Sequence, residues 1–152
     1  MKITLKTNSK AETVALGVKI AKYLVPNSVV TLAGDLGAGK TTLVSGIAKG
    51  LGIIEQVTSP TFNIMKCYFH KPISLYHIDA YRLDGVNKDI GLEEFIDGDG
   101  VCVVEWPNYI SEMLPLNALE IVIHNLGDDI RELSFSSTDK RFESLIKSIG
   151  GK

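Results

Sequence analysis

Cysteine is scarce: Cys67 and Cys102 are the only two, and both stand inside apolar, strand-like runs. They read as buried free thiols rather than as a disulfide or a metal site. Strongly basic runs are missing. The formal net charge is −2, and no stretch offers the electrostatic footprint that direct nucleic-acid binding uses. Long apolar runs are missing too. None approaches the roughly 20 residues of a membrane-spanning helix, so no membrane contact is expected. Met1-Lys2 leads straight into a short strand, so no leader is expected either, and the expected compartment is the cytoplasm. No internal repeat, linker or low-complexity segment divides the chain. At 152 residues and 45% hydrophobic it is globular and long enough for a real core. The expectation is one domain over residues 1–152, with 149–152 as a mobile tail.

What is present is organised around one stretch, Gly34-Asp35-Leu36-Gly37-Ala38-Gly39-Lys40-Thr41. It fits G-x-x-x-x-G-K-[ST]. The residues before it, Val29-Val30-Thr31-Leu32-Ala33, read as a buried strand. After it Leu43, Ile47 and Leu51 recur every fourth residue, the inner face of a helix. Strand, glycine loop and helix in that order are the setting the motif needs. Glycines let the backbone wrap a phosphate with N–H groups pointing inward, and the new helix adds the positive end of its dipole. The candidate cofactor-binding set is therefore Asp35, Leu36, Gly37, Ala38, Gly39, Lys40, Thr41 and Thr42. Lys40 can reach the β- and γ-phosphates of a nucleotide, and the Thr41 hydroxyl can bind Mg²⁺.

The rest of the chain supplies the elements around that loop. Ile3, Leu5 and Thr7 alternate with polar residues, a first strand. Ser9-Lys10-Ala11-Glu12 spells a capping box opening a helix to about Leu24. Gly50 and Gly52 close the helix after the loop. Residues 62–69 and 73–81 read as strands joined by His70-Lys71-Pro72, a connection short enough to require an antiparallel pair. A short acidic helix at 91–96 and a buried strand at 101–104 follow. Then come a connector at 113–115, a hairpin of 119–124 with 130–135, and a last helix at 139–149. The expected class is α/β: a single-domain, P-loop NTPase-like, three-layer fold with a mixed central sheet.

Further chemistry lies at strand ends. Asp79 ends the apolar strand Leu75-Tyr76-His77-Ile78, and Glu105 ends Val101-Cys102-Val103-Val104. An acid there can reach a Mg²⁺ shell or a water. Asp79 reads equally as a helix N-cap or turn residue. His77 alternates in phase with Asp79, and a lone strand histidine is more often packed and hydrogen-bonded than catalytic. Trp106 reads slightly better as a core aromatic than as a nucleotide contact. Arg82 is either a phosphate clamp or half of a structural ion pair. In the loop Val57-Thr58-Ser59-Pro60-Thr61-Phe62, Thr61 is the candidate sensor of γ-phosphate, with Thr58 and Ser59 in reserve. An ordinary loop fits equally well.

Four pieces now stand in order: GDLGAGKTT, SPTF, YHIDAYRL and VVEWP. Together they resemble the TsaE (YjeE) family of bacterial P-loop ATPases, which act in making threonylcarbamoyladenosine on tRNA. The resemblance spans nearly the whole chain. It implies an ATPase with ATP and Mg²⁺ as cofactors, whose cycle serves TsaB-like and TsaD-like partners and meets tRNA through their complex. It implies that Thr41 and Glu105 hold Mg²⁺, that Lys40 holds the phosphates and that Asp79 is needed for turnover. It makes Thr61 the switch-loop residue, places Trp106 beside the site, and lets residues 7–10 and Arg131 approach the nucleotide. Two residues depart from the family pattern. Ala80 stands where a bulkier residue is usual, and Lys66 lies in a stretch that is often more acidic.

Three other classes compete. A GTPase switch needs N-K-x-D, but Asn87-Lys88-Asp89-Ile90 ends in isoleucine. A small-metabolite kinase needs an arginine-bearing lid, and Arg82, Arg131 and Arg141 are scattered. A non-hydrolysing nucleotide-binding assembly module has no use for two strand-end acids.

Overall fold

The loop after the strand at 29–33 reverses direction on glycines that alone accept its backbone. Gly34, Gly37 and Gly39 all have positive φ, and at Gly34 a Cβ would stand 2.6 Å from the Ile123 carbonyl oxygen. The computed structural model describes residues 2–35, 37–60, 63–84 and 90–150. Leu36, Thr61, Phe62 and the 85–89 segment, which includes Asn87-Lys88-Asp89, lie outside the described residues, as do Met1, Gly151 and Lys152.

The strands are β1 (Lys2–Thr7), β2 (Val29–Ala33), β3 (Met65–Tyr68), β4 (Leu75–Asp79), β5 (Val101–Glu105), β6 (Leu119–Gly127) and β7 (Ile130–Ser136). The α-helices are α1 (Lys10–Ala21), α2 (Lys40–Gly50), α3 (Glu93–Ile96) and α4 (Lys140–Gly150). The strands form one seven-stranded sheet in the order β1-β7-β6-β2-β5-β4-β3. Its centre, β6-β2-β5-β4, is parallel, and both flanks are antiparallel. The mixed sheet expected from the short 69–73 connection is there, since β3 runs antiparallel to β4.

Alternation along the strands sorts two cores. Val30, Leu32, Leu75, Val101, Val103, Leu119 and Ile121 pack with α1, α2 and α4 on one face. Val29, Tyr76, Ile78, Cys102 and Val104 face the other way, under α3 and two 3-10 segments, Tyr81–Leu83 and Pro107–Met113. That third layer is thin, because these elements are short. Cys102 is fully buried there and its thiol is pushed up to about 12 by desolvation, as a free core thiol should be. Cys67, also free, is only partly buried.

Several element ends differ from expectation for local reasons. Half of the capping box is formed as expected, the Ser9 hydroxyl accepting from the Glu12 N–H at 3.1 Å, while the Glu12 carboxylate accepts from the N–H of Asn8, one residue before the cap, at 3.2 Å. The helix it opens stops at Ala21, not Leu24. Its last turn tightens, with Tyr23 bonding back to Ile20 and Leu24 to Ala21. Strand β3 starts at Met65, because Ile64 sits at φ 66°, a left-handed value that breaks an extended run. The 3-10 segment Pro107–Met113 fills a stretch where only a connector at 113–115 was expected. Helix α4 continues to Gly150, so 149–150 is helix rather than tail. A Cβ on Gly150 would run into the Ile3 side chain, 1.4 Å from its Cδ1, so the helix end is docked on β1.

Helices α1 and α2 meet backbone to backbone. A Cβ on Gly17 would lie 2.5 Å from the Leu43 carbonyl oxygen, and one on Gly46 would lie 2.2 Å from that of Val14. This contact fixes the helix that carries Lys40. At an open helical position Gly→Ala gains about 1 kcal/mol. At Gly46 the sign reverses: Gly46→Ala is expected to cost about 1–3 kcal/mol by overpacking. A urea midpoint that rises in this variant would refute the close contact.

Candidate functional site

The carboxyl ends of the parallel strands open on one cleft, where ligands of open α/β sheets are bound. It encloses about 370 Å³. Its floor is the start of α2, with Gly37, Gly39, Lys40, Thr41 and Thr42; the ends of β4 and β5 bring Asp79, Glu105 and Trp106; Ser59 and Arg131 complete the wall. Gly39 caps α2 at φ 103°, and among the described residues no side chain caps the helix. The first-turn N–H groups of α2 are thus left to an acceptor from outside the helix, and an anion suits them.

Lys40 is nearly buried, at 6% exposure. Its ammonium donates to the Gly34 carbonyl at 2.7 Å, lies 3.7 Å from Glu105 Oε1, and stands 4.4 Å from the Trp106 ring centroid. The second carboxylate oxygen of Glu105 is 2.5 Å from His77 Nε2. Asp79 and Glu105 are direct neighbours in the β4–β5 register, so both acids leave the sheet side by side. Both are almost fully buried. Asp79 also accepts the Tyr81 N–H at 3.0 Å. The turn role and the cleft position, posed as alternatives from sequence, are therefore held by the same side chain.

Trp106 has left-handed backbone angles, φ 56° and ψ 52°. Its indole packs with Tyr81 and Tyr109, at centroid distances of 5.0 and 6.2 Å, and meets the Lys40 ammonium. The preference for a core aromatic describes only the first of those contacts; the ring also borders the cleft.

Arg131 reaches the cleft from the far side of the sheet. It stands at the start of β7, opposite Thr7 of β1, and its Nε would be 3.1 Å from a Cβ on Gly39. Three acceptors hold its Nη1: Asn125 Oδ1 and the carbonyls of Asp128 and Ile130, at 2.9–3.0 Å. Arg82, left open from sequence between a phosphate clamp and a structural ion pair, is exposed and absent from the cleft wall.

Other sequence candidates fall outside. Asp35 is exposed and its carbonyl closes a turn to the Ala38 N–H; Ala38 itself is buried, and neither borders the cleft. Leu36 and Thr61 lie outside the described residues. Thr58 turns away: its N–H donates to the Tyr68 hydroxyl at 3.3 Å and its hydroxyl accepts from Lys66. Ser59, a reserve choice, is the described residue of that loop that borders the cleft.

A glycine loop between β2 and α2, parallel strands on both sides of β2 and two strand-end acids over the loop define a P-loop NTPase-like fold. The sequence profile of the family described as "Threonylcarbamoyl adenosine biosynthesis protein TsaE" matches residues 7–133, and the chain belongs to that family. It is 46% identical over 144 residues to the tRNA threonylcarbamoyladenosine biosynthesis protein TsaE of Bacillus subtilis (strain 168), covering 95% of this chain and 91% of that one. To the protein of the same name from Treponema pallidum (strain Nichols) it is 42% identical over 130 residues, with 84% and 96% covered. The crystal structure of Bacillus subtilis YdiB superposes with a TM-score of 0.82 at 40% identity, covering 98% of this chain and 94% of that one.

Proposed function

We propose that this protein binds ATP with Mg²⁺ in the cleft, hydrolyses it slowly, and serves threonylcarbamoyladenosine modification of tRNA together with TsaB-like and TsaD-like partners. The observation that carries this reading is the convergence of Lys40, Thr41, Asp79 and Glu105 on the start of α2. The family supplies the pathway, and the chemistry of the cleft supplies the nucleotide.

Each group has a task in this reading. The α2 N–H groups and the Lys40 ammonium bind the phosphates, and Lys40 exchanges its Gly34 carbonyl for a phosphate oxygen. The donors over the loop are hard oxygens, the Thr41 hydroxyl and two carboxylates, which suit Mg²⁺. Among the described residues no cluster of three or more His, Cys, Asp or Glu forms a cage for a metal. That fits an ion held by one or two protein oxygens and completed by phosphate. Thr41 and Glu105 would hold it, and it would neutralise charge developing on the transferred phosphoryl group. Asp79 orients the attacking water. Arg131, anchored by three acceptors, faces the phosphates across Gly39, so cationic charge is available in cis. Its Nη1 is already engaged by those three acceptors, so in this reading the charge on the transferred group is fully met only with a partner, and turnover alone is slow.

Nucleotide binding should be visible through the single tryptophan. Phosphate draws the Lys40 ammonium away from the indole, so Trp106 emission is expected to change in intensity and wavelength when Mg-ATP is added. A spectrum unaltered at saturation places the phosphates elsewhere. The functional test is hydrolysis of ATP against GTP, with and without a TsaB–TsaD type complex. Preference for ATP and stimulation by the complex support the proposal; equal use of GTP or indifference to the complex counts against it.

A further inference from the structure

We infer that His77 is a positioning residue for Glu105: it fixes that carboxylate so that one chosen oxygen faces the metal. The inference rests on the proposed Mg²⁺ role of Glu105 and goes beyond it to a residue outside the cleft.

His77 is fully buried at the middle of β4, two residues before Asp79 on the same face of that strand. It does not border the cleft. Its Nε2 is 2.5 Å from Glu105 Oε2. A carboxylate accepts, so the imidazole proton sits on Nε2. Among the described residues Nδ1 has no hydrogen-bond partner. One nitrogen is thus committed to Glu105, and the other satisfies nothing that would justify a polar ring here for stability alone.

A buried polar pair is weak evidence for stability, since apolar residues of similar volume often replace such pairs at no loss. What this pair does provide is direction. With Oε2 taken by His77, Glu105 presents Oε1 to the cleft, on the side of the Lys40 ammonium. A carboxylate free to rotate would offer either oxygen or both, and Mg²⁺ demands near-ideal octahedral geometry. Partners of this kind, behind a metal ligand, commonly change metal affinity by about 10–100-fold when removed.

Three substitutions separate the nitrogen that matters from the ring. His77→Gln keeps a donor at the position of Nε2, His77→Asn keeps one near Nδ1, and His77→Leu keeps neither. ATP binding is followed by Trp106 emission or calorimetry across a Mg²⁺ titration and again in EDTA. Mn²⁺ binding in the presence of ATP, read by electron paramagnetic resonance, supplies a metal signal independent of turnover. The Mg²⁺ midpoint is expected to rise about 10–100-fold in His77→Leu and His77→Asn and to stay near wild type in His77→Gln. Metal-free ATP affinity should be unchanged in all three. If His77→Leu fails to fold, the Gln and Asn pair carries the same contrast.

The inference is overturned if His77→Asn matches His77→Gln, if no midpoint moves, or if metal-free affinity falls in parallel with the metal-dependent one. Glu105→Gln, measured alongside, distinguishes the two levels. A shifted midpoint there with none in His77→Leu removes only the role of His77. An unshifted midpoint in Glu105→Gln removes the metal role of Glu105 and this inference with it.

Discussion

Lys40→Ala is expected to lower ATP affinity by on the order of 100-fold or more and to remove measurable hydrolysis. The ammonium stands at the start of α2 in the cleft, and a charge-assisted hydrogen bond is worth about 1.5–3 kcal/mol. Under the proposed reading Lys40 makes two, to β- and γ-phosphate oxygens. The substitution also leaves Glu105 without its cationic neighbour at 3.7 Å, so two acids then face the phosphates with less compensation. The fold should survive. The lost methylenes border the cleft, and Gly34 and Trp106, the other contacts of the ammonium, are partly exposed. Calorimetry with ATP, together with a thermal unfolding curve, checks both halves. Unchanged affinity in a folded variant means that the loop does not hold the phosphates.

What could be read from sequence divides along physical lines. The glycine loop was legible because its spacing leaves little freedom: positive φ at 34, 37 and 39 is a demand that only glycine meets cheaply. Asp79 and Glu105 were legible because an acid ending an apolar strand is expensive unless it is used, and a parallel sheet collects strand ends at one edge. Arg82 was left open between a phosphate clamp and a structural ion pair, and Arg131 was named only through the family resemblance. Its position depends on β7 returning antiparallel beside β6, and on Asn125 and the 128–130 turn holding the guanidinium against Gly39. None of this has a periodic signature. The same holds for Ile64, whose left-handed angles oppose the β preference of its side chain, and for the 3-10 segment after Pro107, which carries no 3.6-residue repeat. In the 57–62 loop, hydroxyl residues stand side by side, and only the backbone path sends Ser59 to the cleft and Thr58 to Tyr68 and Lys66. His77 was in view through its alternation with Asp79. Its bond to Glu105, though, required the β4–β5 register, which pairs Asp79 with Glu105 and sets His77 one step behind on the same face.

The second large effect separates the two strand-end acids. They stand side by side across one register pair and are almost equally buried, so position alone does not distinguish them. Their other partners do. Glu105 is tied to Lys40 and His77, which hold one oxygen toward the α2 start, as a metal ligand requires. Asp79 is tied to the Tyr81 N–H at the head of a short 3-10 turn, farther along the sheet from Lys40, and under the proposed reading it orients the attacking water. Glu105→Gln is therefore expected to raise the Mg²⁺ concentration needed for tight ATP binding and to leave metal-free binding nearly intact. Asp79→Asn should bind Mg-ATP almost normally and lose about 10²–10⁴-fold in single-turnover hydrolysis, the range associated with a positioned proton acceptor. That split, affinity in one variant and rate in the other, marks an interaction made only in the transition state. ATP binding titrated against Mg²⁺, with single-turnover hydrolysis on the same preparations, reads both. Loss of metal-dependent binding in Asp79→Asn alone reverses the assignments and makes Asp79 the direct ligand. Wild-type behaviour in both variants leaves two structural acids and a module that binds its nucleotide without cleaving it.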